Sequence, residues 1–325
     1  MTQIVTRRLD CGATLVVEPI ANVASASLNW LMPAGAASDP DGEQGVSTML
    51  AEMIFRGAGD LDSRAHSDAL DRIGVQRAAE PLTSHVQLSA SMLGERLDDA
   101  LPLLTSMLRT PALPGDALEA VRSLCLQSLE SLDDDPQHLV MLRLREKHLP
   151  SPFGRHGYGS EADLRALGVD DLRRAWEARF RPEGTILAAA GAVDADALAG
   201  RLNELLAGWT GAAPEPVAAG AAARGATHID RDTSQVHIGL AFDAPREADA
   251  DAMLQRLSVA VLSGSPSGRL FTEVRQKRSL CYSVGASYRT SRHHGLVTLY
   301  AGTTPERAQE TLDVSLAEIE RLYGG

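Results

Sequence analysis

Apolar and polar positions alternate along residues 12–19 and 23–31, where β-branched side chains concentrate, and this period of two predicts a pair of strands. A loop carrying Gly35, Asp39, Pro40, Asp41 and Gly42 follows. The period then changes, because Val46, Met49, Leu50 and Met53 recur every three or four residues and predict a helix over 43–55 with one face in a core. Thr48 and Glu52 share an adjacent face, which the pattern alone reads as solvated. A Ser63-led helix to 73, strands at 75–82 and 85–92, and helical spacing through 95–108, 114–132 and 136–148 come next. Gly157, Tyr158 and Gly159 mark a turn. Residues 169–180 read as a helix, 185–190 as a short buried strand and 194–206 as a closing helix.

Residues 211–226 are small, nearly uncharged and punctuated by Pro and Gly, which is linker composition. They divide the chain into an expected first domain, 1–210, and a second, 227–325. In the second, 235–242 reads as a strand, 248–262 and 267–276 as helices, 282–288 and 296–301 as strands, and 306–323 as a final helix. Strand, Pro-bearing loop and helix in 235–262 repeat the order of 23–55, so a duplicated domain is expected, its second copy carrying only the first part of the unit. Strands and helices mix without strict alternation, and the expected class is α+β.

Composition narrows the partners. The 325 residues are 44% hydrophobic, enough for two packed units, and the net charge of -12 argues against nucleic acid or an anionic membrane as partner. Cys11, Cys125 and Cys281 are far apart and lack C-x-x-C spacing, so they read as buried free thiols and not as a disulfide or metal framework. The first ten residues lack the apolar run of a signal peptide, and no stretch approaches the ~20 apolar residues of a membrane span. A cytoplasmic protein is expected.

Little else invites chemistry. Residues 264–268 are glycine- and serine-rich but lack a G-K-[ST] ending, so a turn is expected there. His293 and His294 are adjacent in a hairpin loop, and the other histidines show no ligand spacing.

The segment from Gly45 to Gly57 is different. Its Gly45, Leu50, Met53, Phe55 and Gly57 resemble the frame of the zinc helix in the insulinase, pitrilysin and mitochondrial-processing-peptidase family. The likeness continues through Asp133-Asp134-Asp135-Pro136, the 152–159 turn, the 181–191 strand, and Gly264 to Phe271 followed by Arg275, Leu280, Tyr282 and Ser283. In that family an H-x-x-E-H helix supplies two zinc imidazoles and a general base. Those slots here hold Thr48, Ala51 and Glu52, and the slot of the third ligand, counted back from Pro136, holds Ser128. A hydroxyl, a methyl and a lone carboxylate make a poor zinc site and leave no base at position 51.

The resemblance implies two insulinase-like domains, each a mixed, mostly antiparallel sheet packed with helices. It also implies that Arg275 and Tyr282 contact the substrate backbone near the scissile carbonyl, where such donors stabilise developing negative charge. Two-chain members divide this work between subunits. The expectation is a noncatalytic subunit, inactive alone and without a cofactor of its own, whose homologous H-x-x-E-H partner carries the zinc. A peptide-binding or structural scaffold is the alternative, and an active peptidase with a rearranged metal site a weaker one.

Overall fold

The computed structural model describes residues Ile4–Gly324. It divides into two compact units, one comprising the chain up to Ser131 together with Ser151–Gly220, the other comprising Leu132–Pro150 and the chain from Ala221 onward. The mixed α+β class expected from the pattern is what the chain adopts.

The first unit is built on six strands: β1 (Val5–Arg8), β2 (Thr14–Pro19), β3 (Ser25–Met32), β6 (Gln76–Pro81), β7 (Val86–Leu93) and β8 (Ile186–Gly191). A separate two-stranded ribbon holds β4 (Gly57–Ala58) and β5 (Leu61–Asp62). The sheet order is β1-β2-β8-β3-β7-β6, with β2 and β8 parallel and all other pairs antiparallel. Period-two alternation aims Leu15, Val17, Leu28, Trp30, Met32, Val86, Leu88 and Leu187 at one face, where all are buried. The opposite face carries small side chains such as Ser27, Asn29, Ser89 and Ala188 along an open groove of about 630 Å³.

Helices α1 (Val46–Met53), α2 (Ser63–Arg72), α3 (Leu97–Arg109), α4 (Leu118–Glu130), α6 (Glu161–Ala166), α7 (Val169–Arg179) and α8 (Ala195–Leu205) complete this unit, and α5 (Pro136–His148) belongs to the other. That assignment corrects the sequence division, which had 132–150 inside a first domain ending at 210. The reason is packing: Val140 and Leu144 of α5 lie over Gly239 of β9 (Val236–Ala244), and His148 Nε2 meets Asp243 Oδ1 at 3.0 Å.

The second unit has a three-stranded antiparallel sheet in the order β10 (Cys281–Thr290), β11 (Gly295–Thr303), β9. Leu240, Val284 and Leu299 pack with Leu262 of α9 (Ala252–Ser263) and Val314, Ile319 and Leu322 of α10 (Ala308–Tyr323). A π-helix spans Phe271–Gln276, where ordinary helical spacing had been expected.

Helices α1 and α9 each follow a strand and a Pro-bearing loop, yet their apolar stripes meet different fates. In α1 and the turn after it, Val46, Leu50 and Ile54 are fully buried, and α4 and α7 pack against the helix. The like-spaced Met253, Leu257 and Val261 of α9 are 58%, 57% and 54% exposed. Leu50→Ala is therefore expected to destabilise the first unit by about 2–5 kcal/mol. Leu257→Ala should shift the stability of the second unit by less than about 0.5 kcal/mol. Urea unfolding of the two variants checks this, and equal losses would contradict it.

Candidate functional site

The segment from Gly45 to Gly57 is held by a buried ion pair that begins outside it. Asp39, in the loop after β3, accepts hydrogen bonds through Oδ2 from the amides of Gly45 (3.0 Å) and Ser47 (3.3 Å). Its Oδ1 accepts from the Ser47 hydroxyl and, at 2.7 Å, from Arg179 Nη1 at the end of α7. A carboxylate at a helix N-terminus satisfies amides that have no partner within the helix and complements the helix dipole. Arg155 donates to the Asp39 carbonyl at 2.6 Å, tying down the same loop from the 151–160 segment. Gly45 starts the helix at φ +107, and a Cβ there would meet Leu164 Cδ2 at 2.7 Å, so glycine is required by both conformation and space.

On this frame the metal positions inferred from the sequence can be located. Thr48 is half-buried and donates its hydroxyl to the Gly157 carbonyl, so it is not a solvated residue. Ala51 is buried and Glu52 half-buried. Ser128 is exposed on α4 and donates to the Leu124 carbonyl of its own helix at 3.0 Å. Cys125, one turn before Ser128 on α4, is buried; burial, reinforced by the Glu52 charge, pushes its thiol up to about 12. Among the described residues, no three His, Cys, Asp or Glu side chains gather as a metal site. These groups do not fit Zn²⁺, which takes deprotonated thiolate, imidazole or several carboxylate ligands.

Cys125 also carries a pH dependence. An unfolded thiol ionises from about 9, whereas the folded one holds its proton to about 12, so folding binds the proton more tightly and stability falls as pH rises through that window. Thermal melts across it should show an alkaline decline that Cys125→Ala reduces; an unchanged decline would assign it to other groups.

In the second unit Arg275 lies in the π-helix Phe271–Gln276 and Tyr282 near the start of β10. The Arg275 guanidinium lies 4.9 Å from the centroid of the Phe271 ring. Burial raises the Cys281 thiol, and the nearby Arg275 cation opposes that rise, so Arg275 acts on the residue next to Tyr282. Cys281 pairs with Thr303 but Ser283 pairs with Gly302, which makes Tyr282 the extra residue of a β-bulge. Bulges re-aim side chains, and Tyr282 is 62% exposed. Arg275 is exposed as well, leaving both donors available to a ligand. The 264–268 stretch is a turn between α9 and the π-helix, with Gly268 N–H donating to the Ser265 carbonyl at 2.8 Å.

Family models match almost the whole chain: insulinase (peptidase family M16) over residues 15–156, and peptidase M16 inactive domain over 166–325. The chain belongs to the insulinase family. Relatives include an uncharacterized zinc protease of Mycobacterium tuberculosis, 26% identical over 321 residues, covering 97% of this chain and 73% of that protein. The uncharacterized zinc protease YmxG of Bacillus subtilis is 25% identical over 333 residues, covering 97% and 78%. The fold is shared with an M16 inactive-domain protein of Pseudomonas fluorescens, at TM-score 0.89 and 19% identity over 98% of this chain and 79% of that one. A chain of Complex III2 from Candida albicans matches at TM-score 0.83 and 16% identity, covering 98% and 76%.

Neither the Asp39–Arg179 pair nor the effect of the Glu52 charge on buried Cys125 was visible in the sequence. The only available signal for Cys125 was its place one turn before Ser128 on the same helix.

Proposed function

We propose that this insulinase-family chain is the noncatalytic subunit of a heteromeric zinc peptidase, donating Arg275 and Tyr282 to peptide held by a homologous subunit that carries H-x-x-E-H. The observation that carries the reading is the contrast between the two sites. The string H-x-x-E-H is absent from the sequence, and Thr48, Ala51, Glu52 and Ser128 do not fit zinc. Arg275 and Tyr282, in contrast, are exposed and lie on elements that turn them outward.

Both side chains donate hydrogen bonds that match a main-chain carbonyl, and such donors strengthen as negative charge develops on the oxygen. Because the contact is to backbone, it tolerates varied peptide sequences. The family's base slot is filled by Ala51, whose methyl cannot activate water.

Co-expression with an H-x-x-E-H homologue from a neighbouring reading frame tests the proposal, using size-exclusion chromatography and a fluorogenic peptide. A stable complex that cleaves, with each chain inactive alone, supports it. Co-purification without peptidase activity favours a scaffold. Cleavage by this chain alone, with stoichiometric metal lost on Glu52→Gln, points to a rearranged site.

A further inference from the structure

The π-helix Phe271–Gln276 and the two residues after it carry three cations, Arg275, Lys277 and Arg278, and one carboxylate, Glu273. Glu273 accepts from Lys277 Nζ at 2.7 Å and Arg278 Nη1 at 2.8 Å, and these hydrogen bonds hold its carboxyl down to about 2. Arg275 is left over. Among the described residues, no carboxylate or carbonyl accepts from its guanidinium; what it has is the Phe271 ring, at 4.9 Å. A guanidinium stacked on an aromatic face keeps its in-plane N–H donors free at the edge, whereas one paired with a carboxylate spends them.

We infer that Phe271 is a positioning residue, its ring holding Arg275 unpaired and aimed so that the guanidinium edge can receive a peptide main-chain carbonyl. This rests on the function proposed above and adds a residue to it. Lys277 and Arg278 pair with Glu273, which stands two residues from Arg275 and so on a different face of the helix. The four-residue separation of Phe271 and Arg275 places both side chains on one face of the helix.

The test uses the full chain and a fluorescein-labelled, reduced and carboxymethylated lactalbumin, an unfolded polypeptide, with binding followed by anisotropy. Phe271→Leu is expected to weaken binding roughly two- to fivefold, the scale of an exposed cation–π contact. Phe271→Trp should restore it. The double variant Phe271→Leu with Arg275→Ala should bind no worse than Arg275→Ala alone, because a positioning residue has nothing to act on once its partner is gone. A loss of equal size in both backgrounds would show that Phe271 matters only for packing and overturn the inference, as would wild-type affinity in Phe271→Leu. Unchanged affinity in Arg275→Ala overturns the underlying function instead. The stacking has its own readout in the nitrogen-15 signal of the Arg275 side chain, which Phe271→Leu must shift by removing the ring current; no shift would sink the inference whatever the ligand does.

Discussion

Arg179→Met should lower the stability of the first unit by about 3–5 kcal/mol, the usual cost of breaking a buried pair from one side. Both partners are removed from water, with side-chain exposures of 9% for Arg179 and 2% for Asp39. Deleting the cation leaves a buried carboxylate facing only neutral donors. Replacing both partners with apolar residues does not rescue the site as it would for an isolated pair, because Asp39 also accepts from Gly45 N–H, Ser47 N–H and the Ser47 hydroxyl. Those groups would then be buried without acceptors, at about 1–3 kcal/mol each. Arg155→Met makes a useful control. It loses a hydrogen bond to the Asp39 carbonyl and a partly exposed contact with Asp41, which predicts a cost of only about 1–2 kcal/mol. Urea unfolding decides: a loss below about 1 kcal/mol for Arg179→Met would show that the pair does not hold the helix start.

Arg275→Ala is expected to reduce kcat of the proposed two-chain peptidase about 10²–10³-fold, as loss of a single donor to a developing oxyanion does. Tyr282→Phe removes only the hydroxyl and should act in the same direction. Neither change should unfold the chain, since both side chains lie outside the cores of their unit. Steady-state kinetics on the reconstituted complex separates the roles: a fall in kcat marks a transition-state contact, and a rise in KM alone marks uniform binding. Wild-type kinetics in both variants would remove the clamp from the proposal.

Much of the architecture could be read from periodicity. Alternation in 12–19, 23–31 and 85–92 matches β2, β3 and β7, and three- and four-residue spacing matches α1, α3 and α4. Elements without an apolar rhythm escaped. The edge strand β1 is Val5–Arg8, polar at three of four positions and mostly exposed, so pairing with β2 defines it and no hydrophobic face does. The π-helix is a subtler case, because the spacing in 267–276 marks a helix without telling α from π.

The candidate site divides the same way. Thr48, Ala51, Glu52 and Ser128 could be singled out because motif spacing is local, and the ligand chemistry of each residue type follows from its identity. Their surroundings could not be read, since the Thr48 hydroxyl finds Gly157, 109 residues away, and Arg179 finds Asp39, 140 residues away. A chain of charges specifies which groups need partners without specifying which partners they receive.

By itself, then, the sequence determined the α+β class, most element positions, the absence of the H-x-x-E-H string and the presence of Arg275 and Tyr282, because period and residue type are properties of neighbours along the chain. Tertiary structure alone decided that α5 packs with the second unit, that Cys125 is buried within the electrostatic reach of Glu52 while Ser128 is exposed, that Tyr282 is the extra residue of a bulge, and that the Arg275 guanidinium lies over the Phe271 ring. A helical stripe states that a face must be covered, but the surface that covers it is chosen by long-range packing.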